Sequence, residues 1–155
     1  MNPMNPMQRG EVAEALSKAI REGLEAARQQ FEALRSSLEG ESRSTAGDKH
    51  ETGRAMVQLE MEQAANRLAR LEGMAREWAR LGPEVERFVI GPGAVVWTPR
   101  GGFVIGTAWG SFEGPGALAW RAISSDAPLA MALKGSKAGE TVDFRGQAWE
   151  VQGVG

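Results

Sequence analysis

Two stretches of the chain repeat apolar residues at alternating steps of three and four, and one short segment joins them. In the first stretch, Val12, Leu16, Ile20, Leu24, Ala27, Phe31, Leu34 and Leu38 settle from Ile20 onward into steps of 4, 3, 4, 3 and 4. In the second, Val57, Met61, Ala64, Leu68, Leu71, Ala75 and Trp78 follow steps of 4, 3, 4, 3, 4 and 3. A seven-residue repeat of this kind buries one narrow stripe of a helix against a partner helix. Between the runs lies Gly40-Glu41-Ser42-Arg43-Ser44-Thr45-Ala46-Gly47, small residues that predict a loop. The pattern therefore predicts an antiparallel helical hairpin over residues 11–81 with its tip at 40–54. Each arm has about 28 residues and a reach of about 40 Å. Gly82-Pro83 is expected to stop the second arm. Residues 1–10, where Met-Asn-Pro is repeated, are expected to form a disordered tail.

Composition changes at Gly82-Pro83. Residues 82–155 hold 14 of the 20 glycines and four of the five tryptophans, whereas residues 1–87 hold 13 of the 18 basic and 15 of the 20 acidic residues. A charged, glycine-poor segment followed by a glycine- and tryptophan-rich one predicts a second structural unit over 82–155. Ala94–Trp97 and Phe103–Ile105 flank a turn at Thr98–Gly102, and Trp120–Ser124 reads as a third strand. Pro128–Leu133 predicts one short helix ending at Gly135. Thr141–Phe144 and Ala148–Val151 pair across Arg145-Gly146-Gln147. The fold class is thus α+β, a helical hairpin followed by a small β unit.

The same composition excludes much chemistry. The chain has no cysteine and one histidine, which removes disulfides, thiolate metal sites and clusters of His ligands. A net charge of -2 gives no overall case for binding nucleic acid or an anionic membrane. No run approaches the roughly 20 apolar residues of a membrane span. The N-terminus lacks the basic-then-apolar pattern of a signal peptide, so the expected location is the cytoplasm. Within the β unit, Ser124-Ser125 reads as the N-cap region of the short helix, not as a nucleophile with a base. Gly91-Pro92-Gly93 and Gly114-Pro115-Gly116 are turns, since no phosphate-loop pattern is present. The four tryptophans of this unit read as core and strand-pair anchors.

The hairpin tip holds the candidate site. Asp48 and Glu51 are three residues apart where the second helix begins. On one helical face both carboxylates reach a single cation. The same spacing is that of a capping box, with Asp48 as N-cap and Glu51 at N3. Both readings stay open on spacing alone. His50 reads as an exposed loop residue.

The tip sequence Gly47-Asp48-Lys49-His50-Glu51-Thr52-Gly53-Arg54-Ala55-Met56 resembles that of the bacterial GreA/GreB transcript cleavage factors, in which the tip reads Gly-Asp-Leu-(Ser/Lys)-Glu-Asn-Ala-Glu-Tyr. It is closer to a Gre-like branch reading Ser-Ala-Gly-Asp-Lys-(Tyr/His)-Glu-Thr-Gly-Arg-Ala. A second resemblance lies at Ala127-Pro128-Leu129, Ala132-Leu133-Lys134-Gly135, Lys137, Gly139-Glu140 and Val142, which is similar to the C-terminal domain of the same factors. The resemblance implies an antiparallel coiled-coil hairpin followed by an FKBP-like antiparallel β domain with one short helix.

It further implies that the partner is bacterial RNA polymerase, bound at its secondary channel by a monomeric accessory factor that is not itself an enzyme. By that match Asp48 and Glu51 are the catalytic acids. They would help hold a Mg²⁺ shared with the polymerase active site, and the chain would have no cofactor of its own. The backtracked RNA 3′ end is met only indirectly. Arg43, Lys49 and Arg54 are the expected contacts to polymerase or nucleic-acid phosphate. Lys49 and Arg54 depart from the family pattern, and Lys49 is placed to pair with either carboxylate. This leaves a second expectation, a regulator that occupies the channel without cleaving. An FKBP-like prolyl isomerase and a coiled-coil adaptor complete the alternatives. The absence of any Tyr counts against the isomerase.

Overall fold

The computed structural model describes residues 6–42, 47–116 and 119–155, and of residues 6–7, 41–42 and 47–52 the backbone alone. Helix α1 runs Pro6–Ser42 and helix α2 Gly47–Arg80, with 37 and 34 residues. At 1.5 Å per residue they are about 55 and 50 Å long, more than the heptad runs alone predict. The tail expected over residues 1–10 is helical from Pro6, since proline is at home in the first turn of a helix. Gly40 does not end α1, which continues to Ser42. A single glycine costs only about 1 kcal/mol in a long helix.

The chain divides into two compact units, one of Arg21–Gly73 and one of Met1–Ile20 with Met74–Gly155. In the first, every seam residue from Leu24 to Leu71 is at least half-buried, yet only Ala27, Ala64 and Leu71 are fully so. Two helices alone cover only one side of each other's stripe. Exposed Arg35 lies 3.7 Å from Glu32 and 3.8 Å from Glu39, ion pairs worth a few tenths of a kcal/mol each (~0.3–0.5).

In the second unit the start of α1 and the end of α2 belong with the β domain. Val12, Leu16, Ile20 and Trp78 are all buried there. Five strands form one sheet in the order β3-β4-β2-β1-β7: β1 Val95–Thr98, β2 Gly101–Ile105, β3 Gly110–Phe112, β4 Trp120–Ile123 and β7 Gly153–Val154. A separate hairpin pairs β5 Thr141–Phe144 with β6 Gln147–Glu150. Ile90, Val96, Ile105, Leu133 and Val151 are the centre of the core. Helix α3, Pro128–Leu133, contributes Ala130 and Leu133 to it.

The sheet is mixed, which corrects the wholly antiparallel expectation. β2 and β4 pair in parallel, with Val104 opposite Ala122. The cause is β3, a three-residue edge strand absent from the sequence expectation. It pairs antiparallel with β4 from the outer side and so turns β4 into the direction of β2. Trp120 explains the glycines around it. A Cβ on Gly102 would lie 2.3 Å from its indole ring and one on Gly114 2.5 Å away. Its Nε1 donates to the Pro115 carbonyl at 2.9 Å.

Other turns follow the local chemistry. Arg145 (φ 53°) and Gly146 (φ 78°) make the two-residue turn between β5 and β6, whose register matches Phe144 with Gln147. The N-cap of α3 is Ala127, with no side-chain cap, so Ser124-Ser125 does not cap it. Ser124 instead accepts a hydrogen bond from the Asp126 amide, forming a turn ahead of the helix. Of the four tryptophans expected as anchors, Trp120 is fully buried and the other three are half-buried. Trp149 meets Phe103 edge-on at 5.8 Å, with the Arg100 guanidinium 5.3 Å from its ring.

Candidate functional site

α1 ends at Ser42 and α2 begins at Gly47, so four residues join the helices. Asp48 and Glu51 both lie in the opening turns of α2, at i and i+3. Their side chains, and those of Lys49 and His50, lie outside the described residues, as does Arg43 entirely. Arg54 is exposed one turn further along α2. A few residues on, Met56 and Leu59 stand off the seam and are 60% and 57% exposed. Two bare apolar side chains thus lie on the first part of α2, off the seam.

Two carboxylates three residues apart on a helix are hard oxygen donors of the kind Mg²⁺ takes, with the rest of its shell left to water or other ligands. Among the described residues no group of three or more His, Asp or Glu is placed to hold a metal ion. No helix among them is long and apolar enough to cross a membrane.

The unit holding the β domain contains a second feature that motif reading passes over. Arg9, placed by the sequence expectation in the tail, is 3% exposed. Its Nη1 donates to the Pro83 carbonyl, while Nε and Nη2 have no hydrogen-bond partner. Burial draws the Arg9 pKa below its ordinary value, nearby Arg87 acts in the same direction, and Glu86 acts against them. Arginine nonetheless stays protonated at any physiological pH. One signal for this residue was present in the sequence. Arg9 precedes Val12 by three and so continues the apolar stripe with a charge.

Arg87 organises the connection beside it. Nη1 donates to the carbonyls of Val85 at 2.8 Å and of Gly82 and Gly93 at 3.4 Å, and Nη2 donates to that of Leu81. The carbonyls left open where α2 ends are met by one guanidinium from the segment that follows. Gly93 (φ 87°) lies against it, since a Cβ there would be 2.4 Å from the Arg87 guanidinium carbon.

No family model matches the chain, and no curated protein does. Among solved structures, the chain is similar to the transcription factor Gfh1. The two are 19% identical, the match covers 90% of this chain and 93% of that one, and the TM-score is 0.37. The order of elements found here, a two-helix hairpin ahead of a β domain with one short helix, is the order implied by the Gre-type tip sequence.

Proposed function

We propose that this chain is a Gre-type transcription factor that binds bacterial RNA polymerase at the secondary channel and stimulates cleavage of backtracked RNA through Asp48 and Glu51. The observation that carries the reading is a Gre-type tip sequence at the turn between two uninterrupted helices, α1 to Ser42 and α2 from Gly47. Asp48 and Glu51 lie in the opening turns of α2, at the end of that helix nearest the connection to α1. When bound, a Mg²⁺ shared with polymerase would supply the activated water for hydrolysis. The part played by this chain would be to bring two further carboxylates, Asp48 and Glu51, to that site. Lys49 and Arg54 would contact phosphate or polymerase and fix the depth of insertion.

One observation favours a second reading. Lys49 lies beside Asp48 in sequence and exposed Arg54 follows Glu51 by three, so two cations offset the two acids. On that reading the hairpin occupies the channel without promoting cleavage.

RNA cleavage in a stalled, backtracked elongation complex tests both, with binding measured separately for wild type and for Asp48→Ala/Glu51→Ala. Faster cleavage by wild type alone, at equal binding, supports the first reading. Binding with no gain in cleavage supports the second. Failure of the wild-type chain to bind polymerase overturns both.

A further inference from the structure

The β5–β6 hairpin sorts its side chains by face. Its register places Val142 opposite Trp149 and Phe144 opposite Gln147 on one face, and Asp143 opposite Ala148 and Thr141 opposite Glu150 on the other. The acids of the two strands thus lie on one face and the aromatic rings on the reverse. Phe144 stands two residues along β5 from the partner of Trp149, about 7 Å of strand.

Both rings are met by a guanidinium. Arg100, in the β1–β2 turn, lies 5.3 Å from the centre of the Trp149 ring, and Arg145 lies 4.9 Å from that of Phe144. Trp149 meets Phe103 edge-on at 5.8 Å, and Phe103 is in parallel register with Arg121, which shares its face of the sheet. The result is a row of three half-buried rings attended by three exposed arginines. None of the three guanidinium groups has an ion pair or a hydrogen bond among the described residues. An arginine laid against a ring is ordered in advance, yet its exposed N–H edges are free to grip an oxyanion side-on.

This face lacks the bare apolar anchors of a protein interface. Val85, Phe88, Val89 and Met131, the large exposed apolar side chains of the same unit, all lie on other elements. Surfaces that hold nucleic acid are polar and dominated by positive charge. Three arginines spread along a row suit successive phosphates of a strand better than one isolated anion, and the ring edges between them can meet a base. The net charge of -2 does not oppose this, since Asp143 and Glu150 are held on the reverse face of the hairpin.

We propose that Arg100, Arg121 and Arg145 form a weak, sequence-independent site for single-stranded nucleic acid on the β domain. It uses no residue of the Asp48–Glu51 tip and does not depend on the function proposed above.

The test follows the anisotropy of a fluorescein-labelled oligouridylate of about 12 nucleotides titrated with the full-length chain, with no polymerase present. Saturable binding is expected with a dissociation constant of about 10⁻⁴–10⁻⁶ M. Three phosphate contacts at about -0.7 each give a log–log salt dependence with a slope near about -2. Arg100→Gln/Arg121→Gln/Arg145→Gln should weaken binding by about tenfold or more and flatten that slope, with helicity unchanged. Lys134→Gln/Lys137→Gln, which removes the two lysines after α3, should bind as wild type does. No saturable binding by the wild-type chain overturns the proposal, as does wild-type affinity in the arginine variant. An equal loss in the lysine variant overturns it too, because general positive charge would then suffice. A polyglutamate probe that binds as tightly as the oligouridylate would overturn it in favour of an acidic protein partner.

Discussion

The indole Nε1 of Trp78 donates a hydrogen bond to the Ser17 hydroxyl at 2.9 Å, tying the end of α2 to the start of α1 across 61 residues of sequence. Trp78 is the last apolar residue of the second heptad run and is fully buried, so its polar edge needs a partner. Ser17→Ala leaves that N–H unmet and is expected to cost about 1–3 kcal/mol. Trp78→Ala also removes the ring and should cost about 3–5 kcal/mol. Urea unfolding followed by helical circular dichroism checks both values and their order.

The Arg87 guanidinium serves four backbone carbonyls at once, which a lysine ammonium cannot reproduce from a single point. Arg87→Lys is therefore expected to behave like Arg87→Ala, losing about 1–3 kcal/mol. Hydrogen–deuterium exchange should quicken over residues 81–95 and stay unchanged in Arg21–Gly73. Full recovery of protection in the lysine variant would show that charge alone holds the connection.

Gly102 has ordinary backbone angles, so only the Trp120 ring bars a side chain there. Gly102→Ala must displace the indole from its contact with β2 and is expected to cost about 1–3 kcal/mol. Because the Trp120 ring is buried, its displacement should also shift tryptophan emission to the red. Gly110→Ala is the informative contrast. A Cβ there meets nothing within 4 Å, and the whole cost comes from φ 93°.

What could be read from the residues divides along physical lines. The hairpin was legible because each arm carries its own period, independent of anything distant in the chain. The pairings β1–β2 and β5–β6 were legible for the same reason, each being closed by a local turn. β3 and β7 were not, having three and two residues and a glycine apiece, so that their pairing with β4 and β1 comes entirely from across the sheet. The parallel register of β2 and β4 follows from β3 and was hidden with it. At the tip, the spacing of Asp48 and Glu51 was plain from sequence. Arg9 was hidden at the other end, because a charge is ordinarily assigned to the solvated face and only its three-residue offset from Val12 said otherwise.

That burial makes the last prediction. Arg9→Met fills similar space, discards the two unmet donors and surrenders one hydrogen bond to the Pro83 carbonyl. Replacing a poorly compensated buried charge by an apolar side chain is commonly neutral or stabilising by about 1–4 kcal/mol, so the melting temperature should hold or rise. The sign with pH follows from the lowered Arg9 pKa. For a base held below its ordinary value, the penalty is fully present while the group is charged and fades only as pH climbs toward the unfolded arginine value, far above the physiological range. The difference between Arg9→Met and wild type should therefore be flat from about pH 6 to 9. Thermal unfolding at several pH values checks both points. A variant that melts well below wild type would mean that the Pro83 hydrogen bond outweighs the burial of the charge.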